Sequence, residues 1–105
     1  MGYIYLLSTN NEIGEVFKLG VTKNNPHDRV KSLQTGSSEK ITLLNVYKTD
    51  NYFKVEKMLH RKYHKEKKNG EWFILTNDQV MSFTDDCTKA DTTITFLKEN
   101  NTFYN

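Results

Sequence analysis

Tyr3-Ile4-Tyr5-Leu6-Leu7-Ser8 and Val16-Phe17-Lys18-Leu19-Gly20-Val21-Thr22 are the stretches that decide the fold. Both are short and rich in β-formers. The turn-forming cluster Asn10-Asn11-Glu12-Ile13-Gly14 separates them, so together they predict an antiparallel hairpin. Strand side chains alternate. Ile4 and Leu6 therefore share one face of the first strand, Phe17, Leu19 and Val21 share one face of the second, and Tyr3, Tyr5, Lys18, Gly20 and Thr22 point the other way. Pairing Glu15 with Ser8 sets Tyr5 opposite Lys18 and Tyr3 opposite Gly20, with β-carbons of an opposed pair roughly 4.5 to 5.5 Å apart. A phenol and an ammonium at that separation act on the same phosphate. Gly20, lacking a side chain, leaves room for Tyr3 or for a substrate's backbone. An ordinary half-buried hairpin with an aromatic stripe has the same alternation.

Asn24-Asn25-Pro26 predicts a helix start, with asparagine as cap, proline in the first turn and Asp28 where the helix dipole favours a negative charge. The helix ends near Gly36. Val30 and Leu33 form its apolar side, and Arg29 lies at the margin of that side, placed to fork onto phosphate oxygens. A solvated surface arginine fits the spacing equally well. Residues 41–48 (ITLLNVYK) read as a third, more apolar strand at the centre of the sheet. From Asn51 to about Lys68 the spacing predicts a long helix, capped by Asp50 or Asn51, with Val55, Met58, Leu59 and Lys62 or Tyr63 as its apolar stripe. Tyr52, Glu56, His60 and His64 run beside that stripe at four-residue spacing, so Glu56 and His60 share a face.

From Asn77 the chain reads as one helix with the stripe Val80, Phe83, Cys87, Ala90, Ile94 and Leu97, which Thr92-Thr93-Ile94-Thr95 could fray or interrupt. The single cysteine, Cys87, has no partner for an internal disulfide and falls on that stripe as a packed residue. A length of 105 residues suits one domain with one modest core: residues 1–75 as the core unit and 76–105 as a helical extension packed on it. No apolar run approaches a membrane span and no signal-peptide stretch opens the chain. The expected location is therefore the cytoplasm, a host's cytoplasm if the source is viral.

The net charge of +2 conceals a polarity. Residues 1–75 hold 13 Lys and Arg against 8 Asp and Glu, a balance of +5, whereas residues 76–105 hold 2 against 5, a balance of −3. The basic residues are densest around Glu56, where Lys54, Lys57, Arg61, Lys62, Lys65, Lys67 and Lys68 cluster. Such a cluster suits contact with a phosphate backbone, which is salt-sensitive and indifferent to sequence, although many lysine-rich helix faces are simply solvated. One carboxylate with one histidine is a sparse donor set. That sparseness suits Mg²⁺, which keeps most of its waters and takes one or two carboxylates plus substrate phosphate oxygens.

Taken in order, Tyr3-Ile4-Tyr5, Lys18-Leu19-Gly20, Arg29 and Glu56 resemble the GIY-YIG endonuclease domain, in the compact branch whose second motif begins with lysine. Glu71-Trp72-Phe73 matches that branch as well, and the resemblance spans residues 2 to about 75. It implies an α+β fold with a small three-stranded antiparallel sheet flanked by helices, to which the C-terminal helix is an addition. It also implies metal-assisted hydrolysis of a phosphodiester that leaves a 5′-phosphate and a 3′-hydroxyl. By position, Tyr5 corresponds to the tyrosine of the first motif, Arg29 to the family's arginine and Glu56 to its metal ligand. Lys18 stands where the second tyrosine would be and Tyr3 fills the glycine position of the first motif, which leaves open whether Tyr5 or Lys18 accepts the proton of the attacking water.

The expected protein is a metal-dependent nuclease, a DNA endonuclease of loose sequence preference using Mg²⁺ with Mn²⁺ as a substitute. Tyr5, Lys18, Arg29, Glu56 and His60 are its candidate catalytic residues, Tyr3 and Gly20 support them, and Lys54, Lys57 and Arg61 contact nucleic acid. DNA is favoured over RNA as the partner. Zinc-finger spacing, helix-turn-helix pattern and internal repeats are absent, so no separate module selects a sequence. Two alternatives have the same sequence features: a nucleic-acid-binding module without hydrolysis, and an interaction or inhibitor protein that meets a protein partner through its acidic last helix.

Overall fold

The computed structural model describes residues 1–12, 14–64, 67–68 and 72–100, with residues 67–68 described by backbone alone. Its elements are β1 (Gly2–Asn11), β2 (Gly14–Thr22), α1 (Pro26–Thr35), β3 (Thr42–Thr49), α2 (Tyr52–Lys62), β4 (Lys67–Lys68), β5 (Trp72–Phe73), α3 (Asn77–Met81) and α4 (Phe83–Asn100). The α+β class, an antiparallel sheet flanked by helices, is as the sequence indicates. The three expected strands are joined by two more of two residues each, in the order β3-β1-β2-β5-β4.

The hairpin runs two pairs further toward its tip than its apolar letters suggest. Asn10 pairs with Glu15 and Asn11 with Gly14, whose φ of +115° is a conformation that side chains disfavour. Every pair therefore moves by two residues. Tyr5 stands opposite Gly20, Tyr3 opposite Thr22 and Lys18 opposite Leu7, which corrects the expected Tyr5–Lys18 and Tyr3–Gly20 pairs. A shift of two keeps every side chain on its face, so the division into apolar and polar faces holds. The third strand is also corrected: β3 is an edge and β1 lies between β2 and β3. Burial on both faces belongs to β1, where Ile4 through Ser8 are all buried, whereas β3 is exposed or half-buried from Thr42 to Lys48 and buried only at Thr49.

One apolar cluster occupies the face of Ile4, Leu6, Phe17 and Leu19. It takes Val55, Leu59 and Tyr63 from the second long helical segment, Phe73 from β5, and Phe83, Cys87, Ala90 and Ile94 from α4. The helix expected to reach Lys68 stops at Lys62 because Tyr63 turns in as its C-cap, buried, with its hydroxyl donating to Asp86 Oδ2 at 2.5 Å. Lys67 and Lys68 then pair with β5 instead of extending α2. Asn51 is its N-cap, but the side chain makes no capping bond. It reaches α4 instead, donating to Asp91 Oδ1 at 2.7 Å and Thr95 Oγ1 at 3.2 Å and accepting from Lys98.

The tail expected as one helix is two. Thr76 and Gln79 form a reciprocal capping box that starts α3, and Ser82 separates it from α4. Phe83, Cys87, Ala90 and Ile94 are buried as their spacing predicts, and Thr92-Thr93-Ile94-Thr95 stays helical. Ile94 anchors that stretch from inside, with Thr95 held by Asn51. Among the described residues, no helix is long and apolar enough to cross a membrane.

Candidate active site

The sheet's second face carries the residues singled out on the hairpin. Tyr5 is only 3% exposed, and its ring tip lies directly over Gly20. A β-carbon built at position 20 would be 2.3 Å from the phenol's Cζ and oxygen, so glycine is what admits the ring. Lys18 is half-buried two residues along and is a diagonal neighbour of Tyr5. Its ammonium lies 5.8 Å from the centre of the Trp72 ring. Tyr3 is half-buried, and Lys48 on β3, paired with it across the strands, places its ammonium 5.9 Å from that ring. Trp72 and Lys48 had no assigned role in the sequence. The β1–β3 register that joins Lys48 to Tyr3, and the β2–β5 pairing that joins Trp72 to Lys18, are long-range facts with no local signal.

Glu56 and His60 lie on the half-buried flank of α2, which packs on the opposite face of the sheet. His60 Nε2 is 3.9 Å from Glu56 Oε2, too long for a hydrogen bond and close enough for an ion pair when the imidazole is protonated. The His60 ring packs on Phe73 with centroids 5.3 Å apart. Successive residues of β5 therefore meet both groups: Trp72 meets Lys18 on one face and Phe73 meets His60 on the other. A site that uses both has to fold around the β2–β5 side of the sheet.

Arg29 is exposed on α1, a helix that starts where the sequence places it, with the Asn25 side chain accepting from His27 N–H at 2.8 Å. Among the described residues no hydrogen bond or ion pair ties Arg29 to Tyr5, Lys18 or Glu56. Lys54, Lys57 and Arg61, with Met58, line a groove of about 290 Å³ on the outward side of α2. Around the helix the order is Glu56, His60, Lys57, Arg61, so the basic groove adjoins the Glu56 flank. Glu71 and Lys65 lie outside the described residues, as do the side chains of Lys67 and Lys68.

Cys87 is fully buried beside Asp86, and burial first, then the neighbouring Asp86 and Asp91 charges, push its thiol up to about 12. It is a packed residue with no thiolate to offer. Burial and the bond to Asp86 likewise raise the Tyr63 phenol far above its usual range.

The T5orf172 domain family matches residues 2–88. The chain belongs to that family. T5orf172 domains are related to GIY-YIG-like nucleases, which associates this one with nucleic-acid chemistry. The matched span includes β1 to β5, α3 and the first residues of α4. No curated protein and no solved structure matches the chain.

Proposed function

We propose that this T5orf172 domain is a GIY-YIG-type nuclease that hydrolyses phosphodiesters in DNA with loose sequence preference. The observation that carries the reading is the Tyr5 phenol seated on Gly20, with Lys18 as its diagonal neighbour, in a chain whose family is related to such nucleases. Glu56 would hold a Mg²⁺ or Mn²⁺ ion. Among the described residues no group of three or more His, Cys, Asp or Glu forms a cage, and a single half-buried carboxylate fits an ion that takes its remaining ligands from water and phosphate. When bound, the ion adds positive charge at a phosphate oxygen and acidifies water.

The side chains do the rest. Tyr5 accepts the proton of the attacking water, with the Lys18 side chain as its diagonal neighbour on the same face. Arg29 forks onto the phosphate oxygens that gain charge in the transition state. His60 gives a proton to the leaving oxygen. The near-complete burial of Tyr5 favours a second assignment within the same reaction, in which the phenol is the floor of the groove and Lys18 is the base.

The interaction-protein alternative draws less support. Of the acidic residues on α4, Asp86 is turned inward to Tyr63 and Lys62, and Asp91 to Tyr47 and Asn51.

Incubation of the chain with supercoiled, linear, branched and single-stranded substrates in Mg²⁺, Mn²⁺ or EDTA tests the reading. Cutting that needs the metal is expected. Glu56→Ala should reduce it to background while the melting temperature and weak DNA binding stay as they are. Full activity in that variant removes Glu56 from the site.

A further inference from the structure

Besides the buried Tyr5, the second face of the sheet carries two aromatic rings that each have a cation beside them: Trp72 with Lys18, and Tyr3 with Lys48. Both rings are half-buried, so each keeps an accessible part. Their placement relative to Tyr5 follows from the register. Phe17 pairs with Phe73, so one step along Lys18 faces Trp72, and Lys18 in turn faces Leu7 on β1. Trp72 is thus two strands across from β1 and level with Leu7, four residues along from Tyr3. Two strand spacings of about 4.8 Å and four rises of about 3.4 Å put the rings roughly 17 Å apart along a diagonal. The midpoint of that diagonal is on β2, level with Tyr5. Gly20 occupies it.

We propose that this face binds unpaired DNA, with bases stacked on Trp72 and Tyr3 on either side of a phosphate at Tyr5 and Gly20, and with Lys18 and Lys48 on the adjoining phosphates. In a duplex the base faces are covered by their neighbours, whereas an unpaired strand offers them to aromatic rings beside a cationic track. A ring with a cation at its face is therefore a unit for one nucleotide, and two such units flank the phenol. This inference rests on the nuclease reading for the identity of the central phosphate and for DNA as the strand.

Trp72 is the only tryptophan in the chain and reports its own contact. The full chain, held in EDTA so that no strand is cut, is titrated with a fifteen-nucleotide oligothymidylate, a fifteen-base-pair duplex and a fifteen-nucleotide oligouridylate. Oligothymidylate should quench Trp72 emission at concentrations at least about tenfold below those of the duplex. Labelled oligothymidylate, followed by anisotropy, should bind Trp72→Ala about fivefold or more weakly, while Trp72→Phe retains most of the affinity and duplex binding changes little. Tyr3→Ala should weaken the same strand with the Trp72 signal still present, which covers the case in which Trp72→Ala does not fold. Equal quenching by duplex, or oligothymidylate binding within twofold of normal in both alanine variants, overturns the proposal. Preference for oligouridylate overturns the assignment to DNA. Quenching by oligothymidylate without cleavage in any metal would sink the nuclease reading alone, and metal-dependent cleavage without quenching would sink this one alone.

Discussion

On the face of the sheet that carries Ile4, Leu6, Phe17 and Leu19, α2 and α4 close over the strands, and each of those four side chains is 5% exposed or less. On the other face Leu7 and Val16 are as deeply buried, yet Tyr3 and Lys18 stay half-buried and Lys48 is exposed. The difference lies in what each face asks of one alternating pattern. The first needs only apolar volume, which several residue types supply. The second needs one ring at one place, and a glycine is kept opposite to admit it. Damage to the first face should therefore appear in stability and damage to the second in rate.

Gly20→Ala should have a large effect on rate. The added β-carbon meets the tip of Tyr5, and a ring only 3% exposed has little room to swing aside. A displacement near 1 Å at a reacting group costs about a hundredfold in rate. The cleavage rate should fall by about that factor, while the melting temperature falls by less than in a core truncation. A variant that cuts at the normal rate would show that the position of Tyr5 does not matter to the reaction.

Asp86→Ala attacks the other face. It leaves the buried Tyr63 hydroxyl without its acceptor and removes the carboxylate that Lys62 Nζ meets at 2.6 Å. An orphaned buried hydroxyl costs about 1–3 kcal/mol, which in a domain of this size lowers the melting temperature by about 4–8 °C per kcal/mol. Cleavage measured well below the transition should be unchanged. A loss of rate without a loss of stability would break the division between the faces.

The same face has a pH signature. Cys87 is raised from 9.0 to about 12, and Tyr63 is raised from 10.0, so both stay protonated in the folded chain where the unfolded chain has begun to ionise. The folded state then holds more protons, and its stability, fully present below about pH 9, is lost as pH rises. The melting temperature should decline from about pH 9 toward 12, and Cys87→Ala should flatten the first part of that decline. A flat profile to pH 11 would remove both groups from the account.

The fold was legible where periodicity speaks: the two faces of the hairpin, the α1 cap at Asn25, and the Phe83-Cys87-Ala90-Ile94 stripe all follow from spacing. What periodicity cannot register is pairing over distance. Thr9-Asn10-Asn11 and Gly14-Glu15 have loop composition but form the exposed end of a hairpin, because strand pairing continues past the core where side chains need not be apolar. Lys67 and Lys68 read as helix since their neighbours do, and the partners that take them into a strand, Phe73 and Trp72, are six and four residues on. At the site, Tyr5 and Gly20 were each picked out, but the contact between them depends on register and was assigned to the wrong pair.

That correction sets the smallest predicted effect. As a diagonal neighbour, its position in the strand roughly 7–8 Å from that of Tyr5, Lys18 meets substrate beside the phenol and not at the same point, so the two residues can be scored separately by substitution. If Tyr5 is the base, Lys18→Met should therefore lower the rate only modestly, and Tyr5→Phe should remove most activity at every pH. If Lys18 is the base, the order reverses: Lys18→Met is inactive throughout and Tyr5→Phe is the milder loss, because the ring that fills the space over Gly20 is still there. The two profiles differ in kind and not merely in size. Equal and complete losses in both variants would contradict the separation of the two groups along the diagonal, since residues that act on the reacting atoms as one unit lose as much singly as together.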